Sequence, residues 1–590
     1  MIRINQLKLA IFDIPRTPEG KPDAKLEAEL LKKKAAKLLG VRQDGIRKLK
    51  VLRRSVDARE KDNILFVYTL VVRLHDSITG PTAATEEAFI KKCRNKNILR
   101  EDSIPFVPPM GQPETATQQN QPVIIGAGPC GLFAALILAK AGQKPIIIER
   151  GAPCEERELV LERFFETGKL DTESNVQFGE GGAGMFSDGK LNTSVKGQSN
   201  YIRFVLETFV RFGAAPQILT DQKPHVGTDV LTEVVKRMRK EIETLGGTFC
   251  FHTKLESLEL DENGKLCGVV LKQNESLRKA GSQSGANRIE ALFANGAGSG
   301  IDKTAILKTT ACILAIGHSA RDTFSMLQEK NVQMEPKSFA MGIRIQHPQR
   351  LIDEAMYGKN RLDEKVNLLG HASYKLTHRC QNGRSIYSFC MCPGGYVVNS
   401  SSETGRLCIN GMSYHDRQSG MANAALIVNV TPADFPSDGA LGGILLQREL
   451  EEKAYALLDG LIPYETYAEF AQNEKKPNGV PKSDSFEPRF KGYAAAADVR
   501  GMLPLFMQEA VLEGMTAFAR QIPGYDASDA CIAGIEARTS SPVRIVRAET
   551  GESSIPGLYP AGEGAGYAGG ITSAAVDGIR TALQLLGKKA

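Results

Sequence analysis

Short apolar runs that alternate with helical patterns indicate an α/β arrangement in the middle of this chain. Val123 to Ile125 is one such run, and Leu132 to Ala141 follows it with good helix formers that end at Gly142. A second apolar run, Pro145 to Ile148, comes next. Because short apolar runs bounded by glycine are typical of buried parallel strands, residues 122–151 predict a strand–helix–strand unit.

The first 104 residues show a different pattern. Their predicted elements are a strand at Ile2–Leu9, a helix at Ala24–Leu39, strands at Ile46–Val56 and Ile64–Leu74, and a helix at Thr85–Arg94. This βαββα order predicts a small ferredoxin-like α+β domain over residues 1–104. Residues 105–121 contain four prolines and a polar run, which predicts a linker.

Further elements follow along the chain. They are a helix within His225–Gly247 with Thr228 or Asp229 as N-cap, strands at Phe249–Leu258, Leu266–Gln273 and Ala311–Ile316, antiparallel strands at Ala340–Ile345 and Ser385–Cys390, a strand at Leu558–Ala561, and a helix at Ser573–Leu586. Glu275–Lys303 has low complexity and predicts a loop insertion. We predict one nucleotide-binding domain built from residues 122–335 and 531–590, with an α+β substrate-side domain, 336–530, inserted between them.

Three glycines follow the first parallel strand in G-x-G-x-x-G spacing, at Gly126, Gly128 and Gly131. In a dinucleotide-binding turn the first allows the tight turn, the second lets a pyrophosphate approach, and the third lets the helix pack on the strand. Glu149 ends the second strand, where a carboxylate accepts hydrogen bonds from ribose hydroxyls. The unit predicts an adenine dinucleotide site, and the alternative is a glycine turn without a ligand.

Composition restricts the class of protein. The chain has 590 residues, of which 42% are hydrophobic and 24% charged, as expected for several globular domains. No apolar run approaches the roughly 20 residues that span a bilayer, and the N-terminus lacks a signal-peptide pattern. The 11 scattered cysteines favour free thiols in a reducing compartment, so we expect a cytoplasmic protein without a membrane span.

Charge is concentrated at the N-terminus. Residues 1–100 contain 23 Lys and Arg against 12 Asp and Glu, whereas the whole chain carries +6. A basic domain of this kind can bind nucleic acid. Solvated faces are the favoured interpretation, because no aromatic residue is interleaved with Lys32–Lys34 or with Arg53 and Arg54.

A glycine-rich stretch, Asn175 to Thr193, contains five glycines between Gly179 and Gly189. Such backbone suits close contact with a flat or phosphorylated ligand, with peptide N–H groups as donors. The alternative is an exposed, mobile loop, in which Lys190 would be an ordinary surface lysine.

Long motifs of this chain resemble one family. They are RSVDAR at 54–59, GAGPCGLFAA at 126–135, NVQFGEGGAGMFSDGKLNT at 175–193, LAIGHSARDT at 314–323, SFCMCPGGYVV at 388–398, NGMSYHDR at 410–417, EARTSSPVRI at 536–545 and YPAGEGAGYAGGITSAAVDGI at 559–579. On these residues the chain resembles the FAD-dependent dehydrogenase-like proteins of bacteria. It departs in the length of 275–303 and in the acid Glu60. The resemblance implies FAD and a glutathione-reductase-like FAD-binding Rossmann fold, but no particular substrate.

The resemblance also assigns roles near the C-terminus. In such flavoproteins an acid after the last parallel strand accepts hydrogen bonds from the ribityl chain, and Glu563 matches this position. Gly570, Ile571 and Thr572 open the last helix, whose N–H groups and positive dipole end are predicted to face the flavin pyrimidine edge. The alternative is an ordinary glycine-capped terminal helix.

Cys390 and Cys392 form a C-x-C pair in the predicted substrate-side domain. A strained disulfide between them would exchange electrons with a flavin. Flavin disulfide reductases that resemble this fold carry their redox pair beside the first helix, where this chain has only Cys130. Buried structural thiols are therefore the favoured interpretation, and the histidines of this domain are first interpreted as structural: His347, His371, His378 and His415.

We therefore predict an FAD-dependent oxidoreductase that transfers hydride through a non-covalently bound flavin to or from a small molecule, with NAD(P)H as candidate transient donor. The alternatives are an FAD-dependent RNA-modifying enzyme that uses the basic N-terminal domain, and a flavin-bearing scaffold without turnover. No metal ligand set is predicted. The predicted cofactor-binding residues are Gly126, Gly128, Pro129, Cys130, Gly131, Glu149, Arg150, Gly182, Gly184, Met185, Lys190, Leu255, Gly317, Gly562, Glu563, Gly570, Ile571 and Thr572.

Overall fold

The computed structural model describes residues 1–17, 22–111, 121–193, 197–274, 302–472 and 486–588. Nearly all of the insertion predicted at Glu275–Lys303 lies outside these ranges, as does much of the predicted 105–121 linker. Among the described helices, none combines the length and the apolar character needed to span a membrane.

The described strands are numbered along the chain: β1 Ile2–Ala10, β2 Ile46–Asp57, β3 Leu65–Leu74, β4 Ile98–Arg100, β5 Val123–Ile125, β6 Ile146–Ile148, β7 Thr248–Cys250, β8 Thr253–Leu260, β9 Leu266–Asn274, β10 Asp302–Lys308, β11 Cys312–Leu314, β12 Met334–Pro336, β13 Phe339–Pro348, β14 Thr377–Arg379, β15 Ser385–Cys392, β16 Tyr396–Asn399, β17 Ile409–Met412, β18 Met421–Val430, β19 Ile462–Thr466, β20 Phe490–Lys491, β21 Ala494–Ala496, β22 Cys531–Glu536, β23 Val543–Ile545 and β24 Leu558–Pro560.

The described α-helices are numbered in the same way: α1 Ala24–Leu39, α2 Asp76–Thr79, α3 Ala83–Lys92, α4 Pro129–Lys140, α5 Cys154–Thr167, α6 Ser199–Arg211, α7 Thr228–Thr244, α8 Arg321–Glu329, α9 Gln349–Tyr357, α10 Leu362–Leu369, α11 Gly442–Leu458, α12 Tyr467–Gln472, α13 Val499–Met502, α14 Leu505–Ala519 and α15 Ile571–Leu585.

One compact unit consists of Met1–Phe106, Ala215–His225 and Gln349–Tyr374. Its strands pair antiparallel in the order β2-β3-β1-β4. Apart from the short α2, the elements follow one another in the ferredoxin-like order βαββαβ. α1 has the predicted bounds, because the Asp23 carboxylate accepts hydrogen bonds from the first N–H groups and Gly40 ends the helix in the left-handed conformation.

Carboxylates within this unit face several of its basic side chains. Arg54 lies 2.9 Å from Asp221, and Arg59 lies 2.6 Å from Asp57. These exposed or half-buried pairs agree with the interpretation of the basic residues as solvated faces.

The second unit consists of Val107–Ala214, Val226–Pro348 and Lys375–Ala590. Its parallel sheet has the order β24-β11-β5-β6-β7. The antiparallel sheet β8-β9-β10 shares an apolar core with it, to which Val123, Leu314, Leu258 and Val269 contribute. The chain proceeds from β5 to β6 and β7 on one side and places β11 on the other, so the strand order reverses between β5 and β11.

Two local predictions in this unit are wrong. The strand expected at Phe249–Leu258 is two strands, β7 and β8, because His252 takes the left-handed conformation with φ 52° and breaks the run. Neither Thr228 nor Asp229 caps α7, since Gly227 occupies the N-cap. The Thr228 hydroxyl instead donates to Ser187 O, and Asp229 accepts from the N–H of a distant loop residue.

A larger antiparallel sheet has the order β14-β15-β18-β13-β22-β19-β21, in which only β19 and β21 pair in parallel. The antiparallel strands predicted at Ala340–Ile345 and Ser385–Cys390 are confirmed as parts of β13 and β15. The pairing of β15 with β18 shifts in register between Phe389 and Cys392. This irregularity bends the end of β15.

Candidate active site

A cavity of about 350 Å³ opens at the carboxyl ends of the parallel strands. Gly126 after β5, Glu149 after β6 and Gly317 after β11 all line it. Because the strand order reverses between β5 and β11, this is the crevice in which open α/β sheets bind ligands.

The three glycines of the turn after β5 have three different physical roles. Gly126 has φ 102°, which a side chain disfavours, and a Cβ there would lie 2.4 Å from Ala315 O. A Cβ on Gly131 would lie 1.9 Å from Gly126 O, so this glycine allows α4 to pack on the strand. A Cβ on Gly128 would meet only the Cα of Gly182, at 3.8 Å, and would enter the cavity. Gly128 therefore keeps space open for a ligand.

Backbone donors hold the Glu149 carboxylate at the cavity wall. It accepts hydrogen bonds from the N–H groups of Ala127 at 2.8 Å, Gly151 at 3.0 Å and Gly179 at 2.9 Å. A carboxylate has about four lone-pair sites, so one acceptor direction is left for a ligand hydroxyl. The carboxylate thereby joins β6 to both the glycine turn and the glycine-rich stretch.

The glycine-rich stretch is mostly buried and has a defined shape, so its interpretation as an exposed loop is wrong. The fully buried Arg157 of α5 organises it and stacks over the Phe186 ring. Its guanidinium donates hydrogen bonds of 2.7–3.0 Å to the carbonyl oxygens of Asn175, Val176, Glu180 and Gly182. Five charge-assisted bonds replace the side-chain packing that glycine cannot supply.

Glu563 and His318 face each other where α15 begins. His318 Nδ1 lies 3.6 Å from Glu563 Oε1. Burial, and then the charges of Arg538 and Arg321, lower the pKa of His318 to about 3, so the imidazole is neutral and the contact is not an ion pair. Burial raises the pKa of Glu563 to about 7, against a hydrogen bond from the Gly570 N–H. Glu563 therefore exchanges its proton near neutral pH.

A cationic and a thiol group meet at another part of the wall. Lys190 Nζ hydrogen-bonds to Met391 O and lies 3.2 Å from the Asp188 carboxylate. Burial would lower the pKa of Lys190, but the negative groups around it, Asp188 first, raise it, so the lysine is charged. Cys390 lines the cavity beside it.

A buried ion cluster supports the cavity wall. The Glu451 carboxylate receives bidentate bonds from Arg321 at 2.7 and 2.8 Å and from Arg538 at 2.8 and 2.8 Å. Burial opposes ionisation, yet the two guanidinium groups lower the pKa of Glu451 to about 2. Arg538 itself lines the cavity, so this cluster fixes a positive group there.

Comparison with known proteins places this site in context. The model of an "FAD-dependent protein, C-terminal domain-like" matches residues 338–539, and the model of an "FAD binding domain" matches 119–157. A domain of unknown function matches residues 1–73. An uncharacterized protein of Clostridium beijerinckii is 38% identical over 591 residues, which cover 100% of this chain and 99% of that protein.

The chain belongs to the bacterial FAD-dependent dehydrogenase-like family.

Solved structures resemble this FAD-dependent dehydrogenase-like protein only distantly. The glycerol-3-phosphate dehydrogenase of Bacillus halodurans complexed with FAD is 12% identical, with 80% of this chain and 66% of that chain covered and a TM-score of 0.32. The L-proline dehydrogenase of P. horikoshii is 12% identical, with 82% and 95% covered and a TM-score of 0.29. Similarity at this level supports no inference about activity.

Most of the predicted cofactor-binding residues of this family member converge on the cavity. Those that line it are Gly126, Gly128, Pro129, Cys130, Glu149, Arg150, Gly182, Gly184, Lys190, Leu255, Gly317, Glu563, Gly570 and Ile571. Leu255 reaches it from the antiparallel β8 and not from the parallel sheet. The arrangement brings together residues from both predicted parts of the nucleotide-binding domain.

Four predicted residues lie behind the wall and shape it. Gly131 packs on the glycine turn, and Met185 is buried with its Sδ 3.9 Å from Cys154 Sγ. The Gly562 N–H donates to the Asp577 carboxylate at 2.7 Å, and the Thr572 hydroxyl donates to Leu191 O at 2.8 Å. Among the described residues these four do not line the cavity.

The residues present fit FAD. Gly128 leaves space that a Cβ would fill, at the N-terminus of α4, where backbone N–H groups favour a pyrophosphate. Glu149 offers an acceptor near it, and the N-terminus of α15 at Gly570 and Ile571 also lines the cavity. The volume falls within the roughly 300–1,000 Å³ range of small-molecule sites.

Sequence reasoning missed several groups at the site. His318 and Arg538 line the cavity without having been assigned to it, and Arg157 holds its glycine-rich wall. His318 directly follows Gly317 at the carboxyl end of a parallel strand, so its position along the chain was a usable signal. Arg157 follows no local pattern that distinguishes it from a surface arginine, whereas Arg538 lies in the motif EARTSSPVRI at 536–545, which was a usable signal.

Proposed function

We propose that the protein is an FAD-dependent oxidoreductase in which a non-covalently bound flavin exchanges a hydride with a small-molecule substrate. The observation that supports this best is the extent of the cavity, which joins Glu149 to the N-terminus of α15 along one edge of the parallel sheet. An acceptor for a ribose and a positive helix end would suit the two ends of one elongated cofactor, which supports the proposal. Family membership agrees with this proposal.

Individual residues of the chain are proposed to hold the parts of FAD. Glu149 accepts from the ribose, and Gly128 with the start of α4 binds the pyrophosphate. Gly570 and Ile571 present the N-terminus of α15 to the flavin pyrimidine edge, where its dipole stabilises negative charge. Bound flavin supplies the two-electron chemistry.

Glu563 is the proposed proton-holding group of the site. Its pKa of about 7 allows both protonation states at neutral pH, and its neighbour His318 is neutral. Within the part of the chain that the structure describes, His318 Nε2 is buried without a hydrogen-bond partner, which leaves a polar atom for a ligand.

We also propose that residues 122–335 and 531–590 act as the FAD domain and 336–530 as the substrate-side domain, joined through 105–121 to the N-terminal domain 1–104. NAD(P)H is retained as a candidate donor that binds transiently. No comparison supports a nucleic-acid partner or the RNA-modifying alternative.

Spectroscopy of the purified protein tests the proposal. The protein should be yellow, and heat denaturation should release FAD that is identified by chromatography. Anaerobic mixing with a panel of metabolites, NADH and NADPH should bleach the flavin absorbance with at least one donor. A protein that neither retains nor rebinds FAD would contradict the cofactor assignment, whereas a flavoprotein that no donor reduces would favour a scaffold.

A further inference from the structure

We propose that Cys390 and Cys392 form a dithiol–disulfide pair at the cavity wall, and that the pair reacts with a small disulfide. The proposal concerns the chain's own thiols and does not depend on how FAD binds. It replaces the sequence-based interpretation of the two cysteines as structural.

The two thiols differ in access in the way that such a pair requires. Cys390 is partly exposed and lines the cavity, whereas Cys392 is fully buried. An attacking thiol must reach its substrate, but a resolving thiol has only to reach the first sulfur. The exposed member is thus suited to attack and the buried member to resolve.

The backbone at Cys390 departs from a straight strand, and we infer that this brings the two sulfurs within reach of each other. In a straight strand the Cα atoms of residues i and i+2 lie about 7 Å apart, at the outer limit for a disulfide. Cys390 instead has φ 42°, and the register shift at the end of β15 bends the chain at this residue. The Cys392 thiol donates a hydrogen bond to Cys390 O, with its Sγ 3.2 Å from that oxygen, so it lies beside the Cys390 backbone. A left-handed conformation at a residue other than glycine is strained, and such strain is common at functional sites.

Two cations converge on the pair. Lys190 Nζ binds Met391 O, between the cysteines, and Arg344 Nη1 lies 3.4 Å from Cys390 O. The neighbouring Cys392 thiol, together with Lys190 and Arg344, lowers the pKa of Cys390 well below its ordinary value, against burial and Asp188.

Other cysteines of the chain have the opposite character. For eight other thiols, burial raises the pKa and outweighs the effect of any nearby cation. They are Cys93, Cys130, Cys154, Cys250, Cys312, Cys380, Cys408 and Cys531. A thiolate is the reactive form, so Cys390 stands apart chemically.

The proposed reaction is a thiol–disulfide exchange. The Cys390 thiolate attacks one sulfur of a substrate disulfide, whose S–S bond breaks and releases one thiolate as the mixed disulfide forms. Cys392 loses its proton and attacks the Cys390 sulfur, which closes the Cys390–Cys392 bond and releases the second thiolate. One leaving thiolate takes the Cys392 proton and the other takes a proton from solvent. The pair loses two electrons, and the substrate disulfide gains them.

Redox titration of the purified holoprotein tests this reaction with glutathione as the probe. The protein is equilibrated at pH 7 with mixtures of reduced and oxidised glutathione, quenched in acid, alkylated and digested for mass spectrometry. We expect one two-electron transition, in which both alkylation sites of the peptide with Cys390 and Cys392 disappear together and leave a peptide two hydrogen atoms lighter than its unalkylated dithiol form. If both thiols remain alkylated at every ratio, the cysteines are structural and the proposal is wrong.

Single variants distinguish the two roles. Cys392→Ser should accumulate a glutathione adduct on Cys390, whereas Cys390→Ser should accumulate none on Cys392 in the same time. The matched control is Cys93→Ser, because Cys93 is also partly exposed but its pKa is raised, and this variant should keep the wild-type transition. Adducts that form on Cys93 or Cys267 as readily as on Cys390 would overturn the assignment.

A charge variant tests the electrostatic part. Lys190→Met should slow the alkylation of Cys390 by iodoacetamide at pH 6 by about tenfold or more, because less thiolate is present. The folded state is checked by circular dichroism, and the rate is measured per peptide. An unchanged rate in the folded variant would show that Lys190 does not activate the thiol.

Discussion

A single methyl group at Gly128 allows the effects on folding and on cofactor binding to be separated. The Gly128 backbone is extended, with φ −77° and ψ −177°, so alanine adopts it without strain. The added Cβ would have only the Cα of Gly182 within 4 Å, at 3.8 Å. Gly128→Ala should therefore leave the apoprotein as stable as before, or stabilise it by about 0.4–1 kcal/mol through the unfolded chain.

Cofactor binding should respond in the opposite direction. In the proposed complex the methyl group occupies space that the pyrophosphate needs, and overpacking of this kind costs about 1–3 kcal/mol. The Kd of FAD should then rise about 5- to 140-fold. The larger Gly128→Val should lose its yellow colour on purification. Titration of the apoprotein with FAD gives the Kd, and thermal unfolding of the apoprotein gives the stability.

Two other glycines serve as controls. Gly131→Ala should destabilise the apoprotein itself, because its Cβ would lie 1.9 Å from Gly126 O. Gly439→Ala, at an exposed position where the nearest atom is Ser437 Oγ at 3.6 Å, should leave the Kd of FAD unchanged and should alter stability by no more than the same unfolded-chain effect of about 0.4–1 kcal/mol. A Gly128→Ala protein with wild-type affinity for FAD would refute the proposed pyrophosphate site. A loss of apoprotein stability as large as that of Gly131→Ala would refute the reasoning from free space.

Three further variants test other parts of the structure. Ile571→Asp places a carboxylate at the N-terminus of α15, where it opposes negative charge on the reduced flavin. A helix-end charge effect of about 1 kcal/mol should lower the two-electron midpoint potential by about 20 mV relative to Ile571→Asn. An equal or higher potential would show that this helix does not face the flavin. Glu451→Gln leaves two buried arginines without their carboxylate and should lower the free energy of unfolding, measured with a chemical denaturant, by about 3–5 kcal/mol. Its control, Glu452→Gln, breaks a half-exposed pair and should lower that free energy by at most about 1 kcal/mol. Equal losses would contradict the role of burial. Burial raises the pKa of Glu465 from 4.5 to about 8, so the native carboxyl keeps a proton that the unfolded chain releases, and stability falls as pH rises through this window. The Tm of Glu465→Gln relative to wild type should therefore increase from pH 4.5 to pH 8, and a difference independent of pH would refute the assignment.

Local physical chemistry was sufficient to predict much of this fold. Asp23 and Gly40 stand at the two ends of α1, and both act within one turn of the helix, so its bounds were readable. The glycine turn at Gly126 was equally readable, because its geometry depends on residues next to it in the chain. The split of the strand at His252 was not, since only a few per cent of residues other than glycine adopt φ above zero, and histidine, although enriched among them, does so too rarely to predict.

The composition of the site was decided by tertiary structure. Lys190, Cys390 and Glu563 lie far apart in the sequence and come together only because the antiparallel β15 ends over the carboxyl edge of the parallel sheet. Their charge states depend on burial and on neighbours contributed by other elements, which the sequence context of Cys390 does not show. The sequence by itself determined where a nucleotide can approach the backbone. Which side chains face that nucleotide, and in which protonation state, was determined by long-range packing, because desolvation and Coulomb interactions act through space and not along the chain.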